Sequence, residues 1–119
     1  MKFRRVVPEP YTWPIPAAGP PVVKVVVIGM SPRRRLPAEG GLGPHVIIAK
    51  VHNFYREDIK LPVDGDLYVM RAAQTSPRNV AALAEVVPAR KIYVASGLLK
   101  DLAVKISRVL KRKGRRSRG

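Results

Sequence analysis

The chain of 119 residues carries 23 lysines and arginines against 8 aspartates and glutamates, a formal net charge of +15 at pH 7. That length supports one domain rather than two, and a hydrophobic content of 46 % is enough for a core. The absence of cysteine excludes disulfides, thiolate catalysis and Cys-type zinc sites.

In chain order, residues 1–21 read as an extended arm, because six of the twelve prolines fall there and proline disfavours both helix and ladder pairing. Tyr11 and Trp13 sit among those prolines. Their first reading is docking of the arm onto its own domain; the functional reading is stacking on bases or packing against a partner. Val22 to Met30 is β-branched and nearly continuous, the mark of a buried strand. Ser31 to Pro44 is an irregular loop with Arg33, Arg34 and Arg35 side by side, which we read as contacting phosphate. His45 to Val51 predicts a second strand paired with the first. Residues 53–66 are polar and end in the turn signal Asp64-Gly65-Asp66. Leu67 to Ala72 predicts a third strand. Ser76-Pro77 is a helix start, with Ser at the N-cap and Pro at the first helical position, and the helix should run to about Val87. Lys91 to Ala95 predicts a fourth strand, and Leu98 to Lys113 a long final helix.

The final helix divides cleanly by angle. With Lys100 at zero and about 100° per residue, Asp101, Lys105, Ser107, Arg108, Lys111 and Arg112 fall in an arc from roughly −20° to +140°. Leu98, Leu99, Leu102, Ala103, Ile106, Val109 and Leu110 occupy roughly 160° to 300°, and Val104 alone is misplaced. One face is therefore core and the other a positive stripe. The stripe continues into residues 111–119, which hold six basic residues and no acid. Residues 1–35 hold seven basic residues and one acid, whereas residues 36–110 are close to balance with ten and seven. A nearly neutral body with basic appendages suits contact with a phosphate backbone. Arginine predominates in the tail, and its planar fork matches phosphate better than an ammonium does.

Signals for catalysis are few. His45 and His52 are seven apart beside one strand and make a poor metal pair. Asp64 and Asp66 could hold a divalent ion, but turn chemistry accounts for both. The helix starts at Ser76 to Asn79, with Arg78, and at Ser96-Gly97 offer free N–H groups to an anion. Neither has a P-loop or dinucleotide-binding pattern. We expect no enzyme, no cofactor and no metal.

In composition and layout, rather than in any motif, the chain resembles archaeal ribosomal proteins: a small α/β body, a Pro-rich arm, an Arg-rich loop and a basic tail. Scarce Asn and Gln with abundant Pro and Arg fit a thermophile. The expected fold is α/β (or α+β), a small mixed sheet of about four strands in the order β-β-β-α-β-α. Residues 1–21 would be the arm, 22–113 the domain and 114–119 the tail. The expected partner is RNA, with rRNA and neighbouring ribonucleoprotein subunits foremost; the alternatives are a DNA-binding or chromatin protein and, after it, a small phosphate-ligand-binding enzyme or regulatory subunit. The expected contacts are Lys2, Arg4, Arg5, Arg33, Arg34, Arg35, Lys100, Lys105, Arg108, Lys111, Arg112, Lys113, Arg115, Arg116 and Arg118, with Tyr11 and Trp13 as aromatic candidates. The N-terminus lacks the apolar stretch of a signal peptide and no apolar run spans a bilayer, so a cytoplasmic protein without membrane association is expected.

Overall fold

The computed structural model describes residues 6–14, 22–29, 43, 45–51, 59–71, 76–95 and 100–117, with backbone alone at 59, 71, 95, 100–103 and 114–117. The elements are β1 (Val6–Pro8), β2 (Val23–Ile28), β3 (Val46–Val51), β4 (Ile59–Leu61), β5 (Leu67–Arg71), α1 (Pro77–Ala84), a 3-10 turn (Ala89–Lys91), β6 (Ile92–Ala95) and α2 (Lys100–Ser117).

Four strands form one sheet in the order β3-β2-β5-β6, and every neighbouring pair is parallel. The mixed sheet expected from sequence is thus parallel throughout. Parallel neighbours need a crossover of about a dozen residues or more. Three connections must cross over: the stretches between Ile28 and Val46 and between Val51 and Leu67 are long enough, and α1 supplies the third between β5 and β6. The succession within the sheet, β2, β3, β5, α1, β6, α2, is the expected β-β-β-α-β-α.

Both faces of the sheet are covered. Val23, Val25 and Val27 of β2 alternate onto one face with Leu67 and Val69, where Ile106 and Val109 of α2 pack. Val26 and Ile28 point to the other face with Tyr68 and Met70, and there they meet Leu83 of α1, Val87, and Val6 and Leu61 of the small strands. Double coverage explains why β2 reads as an almost unbroken β-branched run instead of an alternating one. α1 begins as expected: the Asn79 N–H donates to Oγ of the N-cap Ser76 at 3.3 Å, and Pro77 follows the cap. It ends earlier than expected, at Ala84. The N–H groups of Val86 and Val87 both donate to the Leu83 carbonyl in a turn that buries Val87.

Two short strands departed from expectation. Val6–Pro8 pairs in parallel with Ile59–Leu61, inside segments read as a proline-blocked arm and a polar connection. Pairing is possible because Val6 and Val7 precede the dense prolines, and Pro8 closes the strand, where a missing N–H costs least. Val6 and Leu61 are both buried, so this ribbon extends the core over the α1 face.

Candidate nucleic-acid interface

In a parallel sheet all strands start at one edge. Here that N-terminal edge gathers Lys24 at the start of β2, Asp64 to Asp66 before β5, and Arg90 and Lys91 before β6. α2 follows β6 and runs back along the sheet, so its C-terminal turns arrive at the same edge. Lys113 fixes it there: its Nζ donates to the Val22 carbonyl at 2.6 Å and pairs with Asp66 Oδ2 at 2.7 Å.

The Asp64-Gly65-Asp66 turn holds this edge together. Asp66 Oδ2 accepts the Lys24 N–H at 2.8 Å, and the Asp66 N–H donates to the Lys24 carbonyl at 2.7 Å. The buried Tyr68 hydroxyl donates to the Pro62 carbonyl and accepts the Gly65 N–H, both at 2.9 Å. A Cβ on Gly65 would lie 3.0 Å from Val26 Cγ2 and 3.1 Å from Tyr68 Cζ, so a larger residue there would push Val26 or the tyrosine ring back by a few tenths of an ångström. Burial pushes the Tyr68 phenol up to about 12, further raised by the charges of Asp64 and Asp66 against the opposing Gly65 hydrogen bond.

Asp64 receives Trp13 Nε1, which donates to both carboxylate oxygens at 3.1 Å, and the Lys24 ammonium at 3.4 Å. Slight burial pushes its carboxyl up, but the Trp13 and Lys24 hydrogen bonds and the Lys24 charge outweigh that and hold it below the ordinary carboxylate range. Both aspartates therefore serve the turn and the docking of neighbouring chain. Among the described residues no group of three His, Cys, Asp or Glu could hold a metal ion.

Between α2 and the turn before β6 lies an open cleft of about 200 Å³. Leu67 and Val109 give it an apolar part, and Arg90, Lys91, Arg112, Lys113 and Asp66 line the rest. Lys91 Nζ donates to the Gly65 carbonyl at 3.3 Å and Lys113 neutralises Asp66, so two of the four cations brace the edge. Arg90 and Arg112 are exposed, and no described acid pairs with either.

The expected contact residues thus separate into groups. Arg108, Lys111 and Arg112 are exposed on the outer face of α2, as the angular reading requires. Lys105 instead lies over the Tyr93 ring, 5.1 Å from its centroid. Lys113 is an internal brace. On the helical wheel it falls at roughly 220°, on the apolar face, and that angle was the available signal. Lys100, Arg115 and Arg116 lie on α2, whose helix continues through the expected tail as far as Ser117. Lys2, Arg4, Arg5, Arg33, Arg34, Arg35 and Arg118 lie outside the described residues, as do His52, Ser96 and Gly97. Trp13 docks on the domain, with Lys24 Nζ 5.6 Å from its ring centroid, while Tyr11 contacts Trp13 edge-on at 4.8 Å and is 41 % exposed. Sequence reasoning missed Arg90, Lys91 and Lys24. Each stands at or just before a strand start, and the shared edge becomes visible only once the strands are known to be parallel.

Ser76 and Arg78, the alternative anion site, lie at the opposite edge, where β5 ends and α1 begins. No known protein family, curated protein or solved structure matches this chain. Among the described residues no helix is long and apolar enough to cross a membrane.

Proposed function

We propose that this protein binds RNA as a structural subunit of a ribonucleoprotein, with ribosomal RNA as the foremost candidate, and that the N-terminal edge of its sheet is the contact surface. The observation that carries the reading is the convergence of exposed arginines that pair with no acid among the described residues, Arg90 from the turn before β6 and Arg108 and Arg112 from α2, onto or beside one edge toward which the basic C-terminal segment also runs. Arginines brought together without acidic partners repel one another, and a polyanion relieves that repulsion. Catalysis is not part of the reading, because the carboxylates at this edge are engaged by Trp13, Lys24 and Lys113.

Phosphate neutralisation has a thermodynamic signature: binding weakens linearly with the logarithm of salt, in proportion to the number of phosphates contacted. Titration of the full chain against a folded rRNA fragment should give a steep slope. The combined variant Arg108→Ala, Lys111→Ala and Arg112→Ala should flatten that slope by about two to three while keeping the fold, because the brace Lys113 is retained. An unchanged slope, or binding insensitive to salt, contradicts the proposal. Tighter binding to duplex DNA than to the RNA at equal salt favours a DNA-binding protein instead.

A further inference from the structure

We infer that the N-terminal edge is built for an unpaired RNA strand, with the Arg90–Arg112 cleft holding backbone phosphate and the exposed Tyr11 ring stacking a base. The inference rests on the RNA-binding reading and names the conformation of the RNA at that surface. Sequence-tolerant binding of single strands combines a positive groove that follows the backbone with an aromatic face on which bases stack. Both are present at this edge. The cleft lies between α2 and the residues preceding β6. The aromatic pair lies against Lys24 and Asp64, at the starts of β2 and β5.

The two parts are linked through one continuous structure. Trp13 donates to Asp64, Gly65 follows, and Asp66 ties Lys24 on one side to Lys113 of the cleft on the other. Trp13 packs with the cluster on the α1 face and the cleft opens beside α2 on the other face, so a strand that engages both passes over this edge of the sheet. The two aspartates on this path are neutralised, Asp66 by Lys113 at 2.7 Å and Asp64 by Lys24 at 3.4 Å, so among the described residues no free acid competes with phosphate for the remaining cations. Trp13 is committed by its ring nitrogen and its edge-on contact. Tyr11 is the ring left exposed, in T-shaped contact with Trp13. A duplex buries its base faces in its own stack and has none to offer Tyr11.

Trp13 is the single tryptophan of the chain and touches Tyr11, so its fluorescence reports directly on this surface. The experiment titrates the full chain with an unstructured oligouridylate, with the same length of duplex RNA, and with the folded rRNA fragment. The single strand should quench Trp13 and bind more tightly than the duplex. Tyr11→Ala should weaken single-strand binding about tenfold, and Tyr11→Phe should restore it, since stacking needs the ring and not the hydroxyl. Arg90→Ala should lower the salt slope by about one. A denaturation midpoint of free Tyr11→Ala equal to that of Tyr11→Phe verifies that the truncation leaves the domain folded. Preference for the duplex, or full binding by Tyr11→Ala, overturns the inference while leaving RNA binding intact. Failure of all three RNAs to bind overturns both.

Discussion

Tyr68 and Gly65 show how a single contact shapes the N-terminal edge of the sheet. The phenol bridges the Pro62 carbonyl and the Gly65 N–H inside the core, and the glycine leaves room for the ring. Tyr68→Phe would keep the ring and strand both partners in a dry site, so it should cost about 1–3 kcal/mol of stability. The pH dependence follows from the raised phenol. The folded chain keeps Tyr68 protonated up to about 12, whereas the unfolded chain releases its proton near 10.0. Its contribution is therefore complete below pH 10 and is lost as pH rises toward 12. Denaturant titrations in that window should show a steeper alkaline loss for the native chain than for Tyr68→Phe; parallel curves would contradict the assignment. The turn at Asp64-Gly65-Asp66 was legible from residue types alone. What held it was not, because Trp13 and Asp64 are 51 positions apart and the tie between Lys113 and Val22 spans 91. Charge is partly the same: the wheel angle of Lys113 sets it apart from the exposed Arg108, Lys111 and Arg112, but only its neighbours show that Lys105 lies over Tyr93.

At the scale of elements, legibility followed the range of the cause. β2, β5, β6 and α1 are written locally, in β-branched runs and in the Ser-Pro cap, and they form where those signals lie. β1 and β4 are three residues each, and each exists only because the other is beside it, so no window of sequence contains the reason. α2 is the best test of periodicity. Ile106 and Val109 are 3 % and 7 % exposed, while Val104, the residue that broke the angular pattern, is 52 % exposed. Ile106→Ala should therefore lower stability by about 2–5 kcal/mol through lost burial and a cavity between helix and sheet. Val104→Ala should stay within about 0.5 kcal/mol. Chemical denaturation of the two variants checks this, and a reversal of their order would mean that α2 packs by another face.

For the whole molecule, parallel strand direction turns a list of basic residues into a surface. A mixed sheet would have scattered strand starts over two edges. The parallel one assembles Lys24, the aspartate turn, Arg90 and Lys91 at a single edge, and α2 returns Arg112 and Lys113 to meet them. The opposite edge, with Ser76 and Arg78 where β5 ends and α1 begins, is the place where open parallel sheets commonly bind small ligands. The two edges make different claims about the same protein, and arginines on each report on them separately. The most direct measurement is mass-spectrometric mapping of arginine modification by phenylglyoxal in the full chain, alone and saturated with the folded rRNA fragment. RNA binding at the N-terminal edge predicts protection of Arg90, Arg108 and Arg112 with Arg78 as reactive as in the free chain. Protection of Arg78 with Arg90 and Arg112 unchanged would contradict it.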